Sequence, residues 1–307
     1  MNLQELRYLV AVADHGHFGR AAAACYVSQP TLSTQLRKLE RELGVELVER
    51  TPRGALLTAT GERVVERARA VLNETDAIAD IAAQSRDPGS GTVRIGLFPT
   101  LSSYLLPHVV PALHERFPHL DLRLVEEKTD DLLALLRQGR LDGVLAATPV
   151  DDGSLEHVEV LTERFLLAVP AGNPLATAGG PVDVAALADQ PVLLLDEGHC
   201  LRDQALSVCR LVGASEQPGF RATSLETLRY MVASDAGVTL LPELAVRPPV
   251  PPSDDVVLLP FAEPSPHRDV ALFWRRTSGQ ADLLRQVAAV IAEAVAPVLA
   301  DPLPLTP

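Results

Sequence analysis

The feature that limits this chain most is one unbroken helical pattern running from Thr60 to about Ser85. Val64, Ala68, Val71, Thr75, Ile78 and Ala82 recur in it at alternating steps of four and three, the spacing of a coiled-coil seam. A seam of that length outruns what one compact domain covers, so it predicts a helix that pairs with a second copy of the chain. A helix laid on its own domain is the competing reading, and the length disfavours it. The helix also divides the sequence. Patterns before it are helical and patterns after it alternate between strand and helix, as expected of 307 residues folding as two or three domains.

Ahead of the seam, Asn2 to Ala13 carries Leu3, Leu6, Leu9 or Val10, and Ala13 on one stripe, and His15-Gly16-His17 breaks it. Phe18 to Cys25 is short and almost all alanine, which lets another helix approach closely. The run YVSQPTLSTQLRKLERELG follows. Ser28 or Gln29 caps it, Pro30 sits in the first turn where its missing N–H costs nothing, and Gly44 ends it. Leu32, Leu36, Leu39 and Leu43 form the inner stripe; Thr31, Thr34, Arg37, Lys38 and Arg41 face outward, with Ser33 beside them. A short helix, a tight turn and a polar-faced helix with donors near its start read as a helix-turn-helix. A plain three-helix bundle with a solvated face is the bland alternative. Val45 to Thr58 then forms a hairpin wing whose Arg50 and Arg53 can reach a phosphate or a minor groove. Cys25 lies inside the packed pair and reads as core.

Charge agrees with this division. The formal net charge is −13, yet residues 1–60 hold seven Lys/Arg against six Asp/Glu, so the negative excess lies further on. An acidic remainder discourages non-specific DNA contact and leaves one region to bind. No run of eighteen apolar residues and no signal-peptide pattern occurs, so a soluble, cytoplasmic protein with no membrane partner is expected. Three cysteines in a reducing compartment argue against a structural disulfide framework.

Two of those cysteines, Cys200 and Cys209, lie nine positions apart. From Leu201 onward the segment reads as helix, with Leu201, Ala205 and Val208 on one face and Arg202, Asp203 and Gln204 on the polar side. Nine helical residues rise roughly 13.5 Å and turn through roughly 900°, so the thiols point to opposite sides. A disulfide needs Cα atoms within about 7 Å, so the pair bridges only if the helix comes apart. Cys200 follows the apolar run Pro191 to Leu195 and sits at a strand-to-helix turn. The helix terminus, with Arg202 or a nearby His, is expected to favour its thiolate. Cys209, among Leu206, Val208 and Leu211, is expected to be an ordinary thiol. Two small buried hydrophobes are the bland reading of both.

The string GHCLRDQALSVC, followed by FRATSLETLRYMVA and GVTLLP, resembles the OxyR hydrogen-peroxide sensors among the LysR-type transcriptional regulators. The alanines of the second helix and Pro30-Thr31-Leu32-Ser33 of the third also match the LysR-type DNA-binding region, and the resemblance runs to about Trp274. It implies that Cys200 reacts with peroxide and that Cys209 closes an intramolecular disulfide with it. It also implies DNA contact through Ser28, Gln29, Pro30, Thr31, Ser33, Thr34, Arg37 and Lys38, and a dimer of dimers on a pseudo-palindromic promoter. RNA polymerase is the expected partner there, and a thiol reductant system recycles the protein.

After the linker Arg86 to Gly91, strands are expected at Val93 to Leu97, Leu122 to Val125 and Gly143 to Ala147, with helices at Leu101 to Phe117 and Asp130 to Gln138. A second unit begins near Phe165 and continues through Val192 to Leu195, the cysteine helix, Phe220 to Ala222, the helix Leu225 to Ala233, and Val238 to Leu241. Strands Val256 to Leu259 and Val270 to Trp274, then a helix from Ala281 to Val298, complete it; DPLPLTP is a tail. The fold class is α/β with an all-α winged helix-turn-helix ahead of it. The expected division is a DNA-binding domain (1–59), a dimerisation helix (60–85), a hinge (86–91) and an effector domain (92–300). That last domain, two Rossmann-like halves by resemblance to periplasmic-binding-protein-like domains, comprises subdomain I (92–163 and 256–300) and subdomain II (164–255). Ligands of open parallel sheets sit beyond the C-terminal strand ends, where Thr100, Thr129, His199 and Cys200 converge. The resemblance implies that Thr100 and Thr129 hold peroxide and that Arg268 adds positive charge. A regulator binding an organic effector in that cleft, with silent cysteines, is the rival; a thiol peroxidase leaves the DNA-binding region unexplained. No cofactor or metal is expected, since a zinc site on His199, Cys200 and Cys209 lacks a fourth ligand.

Overall fold

The computed structural model describes residues 1–302 except 52–53, 85–88, 178–179, 189, 215 and 217–220, and of residues 50, 80, 81, 83 and 84 the backbone alone. Expectations for Arg53, for the side chain of Arg50, for residues 86–88 of the linker, for Phe220 and for the end of the tail lie outside the described residues. The chain forms two compact units, Met1–Arg86 with Arg137–Arg140, and the remainder.

In the first unit α1 (Leu3–His15) starts at a capping box, Asn2 accepting from the Glu5 N–H while the Glu5 carboxylate accepts from the Asn2 N–H. After α2 (Phe18–Ala24), Ser28 caps α3 (Gln29–Leu43), and Gly44, in the left-handed conformation at φ 71°, ends it. Leu32, Leu36 and Leu39 are fully buried with Leu9, Ala21 and Leu47, as the leucine spacing predicts. The wing is a hairpin of β1 (Val48–Thr51) and β2 (Gly54–Leu57), paired Val48 to Leu57. Then α4 (Ala59–Gln84) begins where Gly61 passes so close to the Leu47 carbonyl that a Cβ would lie 2.0 Å from its oxygen. The expected seam is split. Ala68 is buried and Val64 partly buried in the first unit's own core, alongside Val65, so the first turns of α4 rest on their own domain. Val71 and Ile78 further along are exposed.

The second unit is built on a mixed seven-stranded sheet ordered β4-β3-β5-β9-β6-β7, with β8 also on β6. Its strands are β3 (Gly91–Leu97), β4 (Leu120–Glu126), β5 (Gly143–Ala147), β6 (Leu155–Pro170), β7 (Thr239–Pro242), β8 (Val256–Pro260) and β9 (His267–Arg275). The helices are α5 (Pro99–Arg116), α6 (Thr129–Arg137), α7 (Cys200–Val212), α8 (Leu225–Ala233) and α9 (Ala281–Ala300). β3 pairs in parallel with β4 and β5; β9 runs antiparallel between β5 and β6. Three expectations change. β3 starts at Gly91, two residues inside the expected approach to the strand. β6 starts ten residues before Phe165, so one strand serves β9 with its first part and β7 and β8 with its second. Val192 to Leu195 is buried but, among the described residues, forms no continuous strand and makes single bridges to Glu216, Val238 and Ala222. α9 is long and apolar enough to span a membrane by length and composition alone. It instead buries Leu284, Val287, Ile291 and Val295 in the core beside α5 and β6.

Candidate functional site

Cys200 is the first residue of α7. His199 stands at the N-cap in extended backbone and offers no side-chain cap, so the helix start is left to other groups. The turn before it needs Gly198, at φ +87°, where a Cβ would lie 2.9 Å from the Lys128 side chain. Lys128 donates from Nζ to the Glu197 carbonyl at 2.6 Å. The β9 strand carries Arg268 into the same region. Its Nε donates to Glu163 at 2.7 Å, its Nη1 to the Thr100 hydroxyl at 3.3 Å and its Nη2 to the Thr100 carbonyl at 3.0 Å. The guanidinium stands 5.1 Å from the Phe98 ring centroid, and Glu163 also accepts from the Leu244 N–H. Arg268 and Glu163 are both buried, so this is a paired, hydrogen-bonded interior charge, the form in which such a charge is tolerated.

Three groups act on the Cys200 sulfur to favour the thiolate: the Arg268 charge first, then the Thr129 hydroxyl and the Leu201 backbone N–H. Burial outweighs them and pushes the thiol above its ordinary value. The expectation of a thiolate favoured by the helix end is therefore corrected: the helix start helps, and burial of the thiol wins. The Thr129 hydroxyl oxygen is buried and makes no hydrogen bond of standard geometry among the described residues. His199 is buried, and burial lowers its pKa, with Lys128 lowering it further against Asp196, so its imidazole is neutral near pH 7. Arg268 and the Thr129 hydroxyl thus act on Cys200, Thr100 is hydrogen-bonded to Arg268, and His199 adjoins the cysteine in the chain.

Arg202 does not act on the Cys200 sulfur. It is buried and turns away to Glu216, donating from Nη1 and Nη2 at 2.8 Å each, with Nη1 also on the Leu195 carbonyl at 2.8 Å. The cation beside Cys200 is Arg268. Cys209 is buried, and burial raises its pKa. Leu211, expected beside it, is exposed. Both cysteines are free thiols, nine residues apart on one unbroken helix. Glu163, Phe98 and Glu216 escaped sequence reasoning. For Glu163 a signal existed, a Glu-Arg pair inside a strand-like run.

In the first unit, Ser28 accepts from the Thr31 N–H at 3.3 Å. Gln29, Pro30, Thr31, Thr34 and Arg37 are exposed on α3 and Ser33 is half-buried. Thr34, Arg37 and Arg41 line an open groove of about 680 Å³ with Glu40, Gly44, Val45 and Glu46. Lys38 is partly committed elsewhere: its Nζ donates to the buried Glu5 carboxylate at 2.7 Å, which lowers the Glu5 pKa and raises that of Lys38. No metal-binding group of three His, Cys, Asp or Glu occurs among the described residues.

Residues 3–62 match the model of the bacterial regulatory helix-turn-helix protein, lysR family, and residues 86–296 match the LysR substrate binding domain. The chain is 48% identical over 291 residues to the DNA-binding transcriptional dual regulator OxyR of Escherichia coli, covering 95% of each. A full-length OxyR variant from Pseudomonas aeruginosa superposes with a TM-score of 0.80 at 37% identity, covering 95% of this chain and 98% of that one. A Corynebacterium glutamicum OxyR mutant bound to hydrogen peroxide gives 0.69 at 31% identity, covering 97% and 94%.

Proposed function

We infer the function from one premise: the chain belongs to the LysR family of bacterial helix-turn-helix regulators and, within it, to the OxyR group. It is a DNA-binding transcriptional regulator that senses hydrogen peroxide. The observation that carries this reading is the half-buried Cys200 thiol, at a helix start with no side-chain cap, on which the Arg268 charge and the Thr129 hydroxyl act. Cys209 waits on the same helix.

The Cys200 thiolate attacks one peroxide oxygen. The O–O bond breaks, the sulfur keeps one oxygen with its proton as a sulfenic acid, and the departing hydroxide becomes water with the proton that the Cys200 thiol released on ionising. Hydroxyl and guanidinium donors at Thr100, Thr129 and Arg268 suit the charge that builds on the leaving oxygen. Cys209 then displaces hydroxide from the Cys200 sulfur, giving the disulfide and water. A cellular thiol reductant returns two electrons and two protons. Since the thiols begin roughly 13.5 Å apart on α7, closure unwinds the helix between them.

Residues 1–59 carry the DNA contact, through Ser28, Gln29, Pro30, Thr31, Ser33, Thr34, Arg37 and Lys38 with Arg50 and Arg53 of the wing. The α4 helix pairs two chains, two pairs form a tetramer, and the half-sites lie about one helical turn apart or a multiple of it. RNA polymerase reads the outcome, in the cytoplasm. Mass spectrometry of protein treated with sub-stoichiometric to equimolar peroxide tests the chemistry. A peroxide-dependent loss of two hydrogens, mapped to Cys200 and Cys209, is expected; unmodified thiols would return the reading to an organic effector.

A further inference from the structure

We propose that the Arg202–Glu216 pair sets the redox poise of the switch by clamping the two ends of α7 together in the reduced protein. The proposal rests on the reading of Cys200 and Cys209 as a peroxide-formed disulfide, and it adds what decides how readily that disulfide forms and is reduced.

Arg202 lies two residues after Cys200, in the first turn of α7, and Glu216 lies just beyond the helix's last residue, Val212. One guanidinium therefore ties the start of the helix to the chain that leaves it. Both nitrogens Nη1 and Nη2 donate to the two carboxylate oxygens at 2.8 Å, a bidentate fork, while Nη1 also holds the Leu195 carbonyl ahead of the helix. The arginine is buried, the glutamate holds the arginine pKa up, and the arginine holds the glutamate's down. Val192 bridges Glu216 main chain to main chain, which holds that residue of the departing segment against the core. Neither side chain is among the groups that act on the Cys200 sulfur. The Glu216 charge does reach the Cys209 thiol and, after burial, raises its pKa, so Arg202→Lys, which keeps that carboxylate, reads the fork alone; Arg202 acts only as a positioning residue.

The disulfide joins residues at the two ends of the span that the clamp braces. Cα atoms roughly 13.5 Å apart on a helix must come within about 7 Å, and Arg202 sits inside the segment that unwinds. Its fork is a geometric fit to the helical form and is lost when residues 201–208 change course. The clamp thus stabilises the reduced state selectively. The couple involves two electrons: Cys200 and Cys209 thiols give two electrons and two protons to peroxide, with two waters as the final product. Weakening the reduced form shifts this couple toward disulfide and makes its potential more negative.

The test is the midpoint potential of full-length protein in glutathione or dithiothreitol redox buffers, read by thiol alkylation, for wild type, Glu216→Gln, Arg202→Lys and the double variant. Glu216→Gln keeps the shape and removes the charge. A shift of about tenfold in the thiol–disulfide equilibrium is expected, which is about 30 mV toward the negative. The double variant should lie close to the single ones, because each partner acts through the other. If Glu216→Gln does not yield folded protein, Arg202→Lys carries the same comparison. Identical potentials in wild type and the folded variants overturn the clamp. A wild type that forms no Cys200–Cys209 disulfide in any buffer overturns the underlying reading instead.

Discussion

Two helices of similar length do opposite jobs, and their ends show why. α3 has 15 residues and α7 has 13; both have an apolar face in a core, and both end on a left-handed glycine, Gly44 at φ 71° and Gly213 at φ 70°. At the N-terminus they part. Ser28 satisfies α3 from within its own sequence, whereas α7 opens on His199 without a side-chain cap and places Cys200 in that first turn. The buried residues of α3 are all leucines; those of α7 include Arg202 and Cys209. One helix is held by local signals and presents a fixed face. The other is held by tertiary contacts that a chemical event can remove. Stabilisation from outside the helix suits the proposal that α7 comes apart when Cys200 and Cys209 join.

The largest expected effect separates the two functions completely. Cys200→Ser should abolish disulfide formation and the response to low peroxide, while Arg37→Ala on α3 should weaken specific DNA binding and leave thiol oxidation intact. Gel shifts and alkylation mass spectrometry on the same samples check both, and joint loss in either variant would mean misfolding. Next, Leu36→Ala should cost the first unit roughly 2–5 kcal/mol, because it empties a fully enclosed site on α3. Denaturant unfolding measures the loss, and an unchanged rate of Cys200 oxidation would show that α7 does not share it.

The pH dependence of α7 is smaller per step. Burial raises the Cys200 pKa, so the thiolate is a minority near neutrality, and its fraction grows by up to about tenfold per pH unit while the pH stays below that pKa. Stopped-flow oxidation at increasing pH should rise accordingly, and a flat profile would contradict the raised pKa. The Glu216 pKa is lowered by Arg202, so its contribution to stability is present above the ordinary glutamate range and is lost as the pH falls below it. The smallest effect is at the α3 cap. Ser28→Ala should lower the stability of the first unit by about 1 kcal/mol, seen as a modest fall in melting temperature. A much larger fall would show that α3 too leans on contacts beyond its own sequence.

The first unit was legible nearly residue by residue, since its caps, leucine spacing and terminal glycines act over three or four positions. The seam misled in part, because Val64 and Ala68 suit an intermolecular stripe and an intramolecular core equally well. In the second unit, Leu155 to Arg164 escaped notice: Glu156, Glu159, Glu163 and Arg164 mask an edge-facing strand that only its partner β9 defines. The opposite error occurred at Val192 to Leu195, where a buried apolar run looks like a strand whether or not a ladder forms beside it.

The sequence by itself determined the winged helix-turn-helix, the cysteine spacing, and the placing of Thr100 and Thr129 just past the ends of β3 and β4, because each follows from periodicity, local turn chemistry or the geometry of strand ends. The family likeness pointed to Arg268. Only the tertiary structure decided the balance of forces there. It chose Arg268 over Arg202 as the cation felt by the thiol, joined Arg268 to Glu163 across 105 positions of chain, and made burial outweigh the charge. Desolvation and charge pairing depend on distances between residues far apart in sequence, and no local pattern records them.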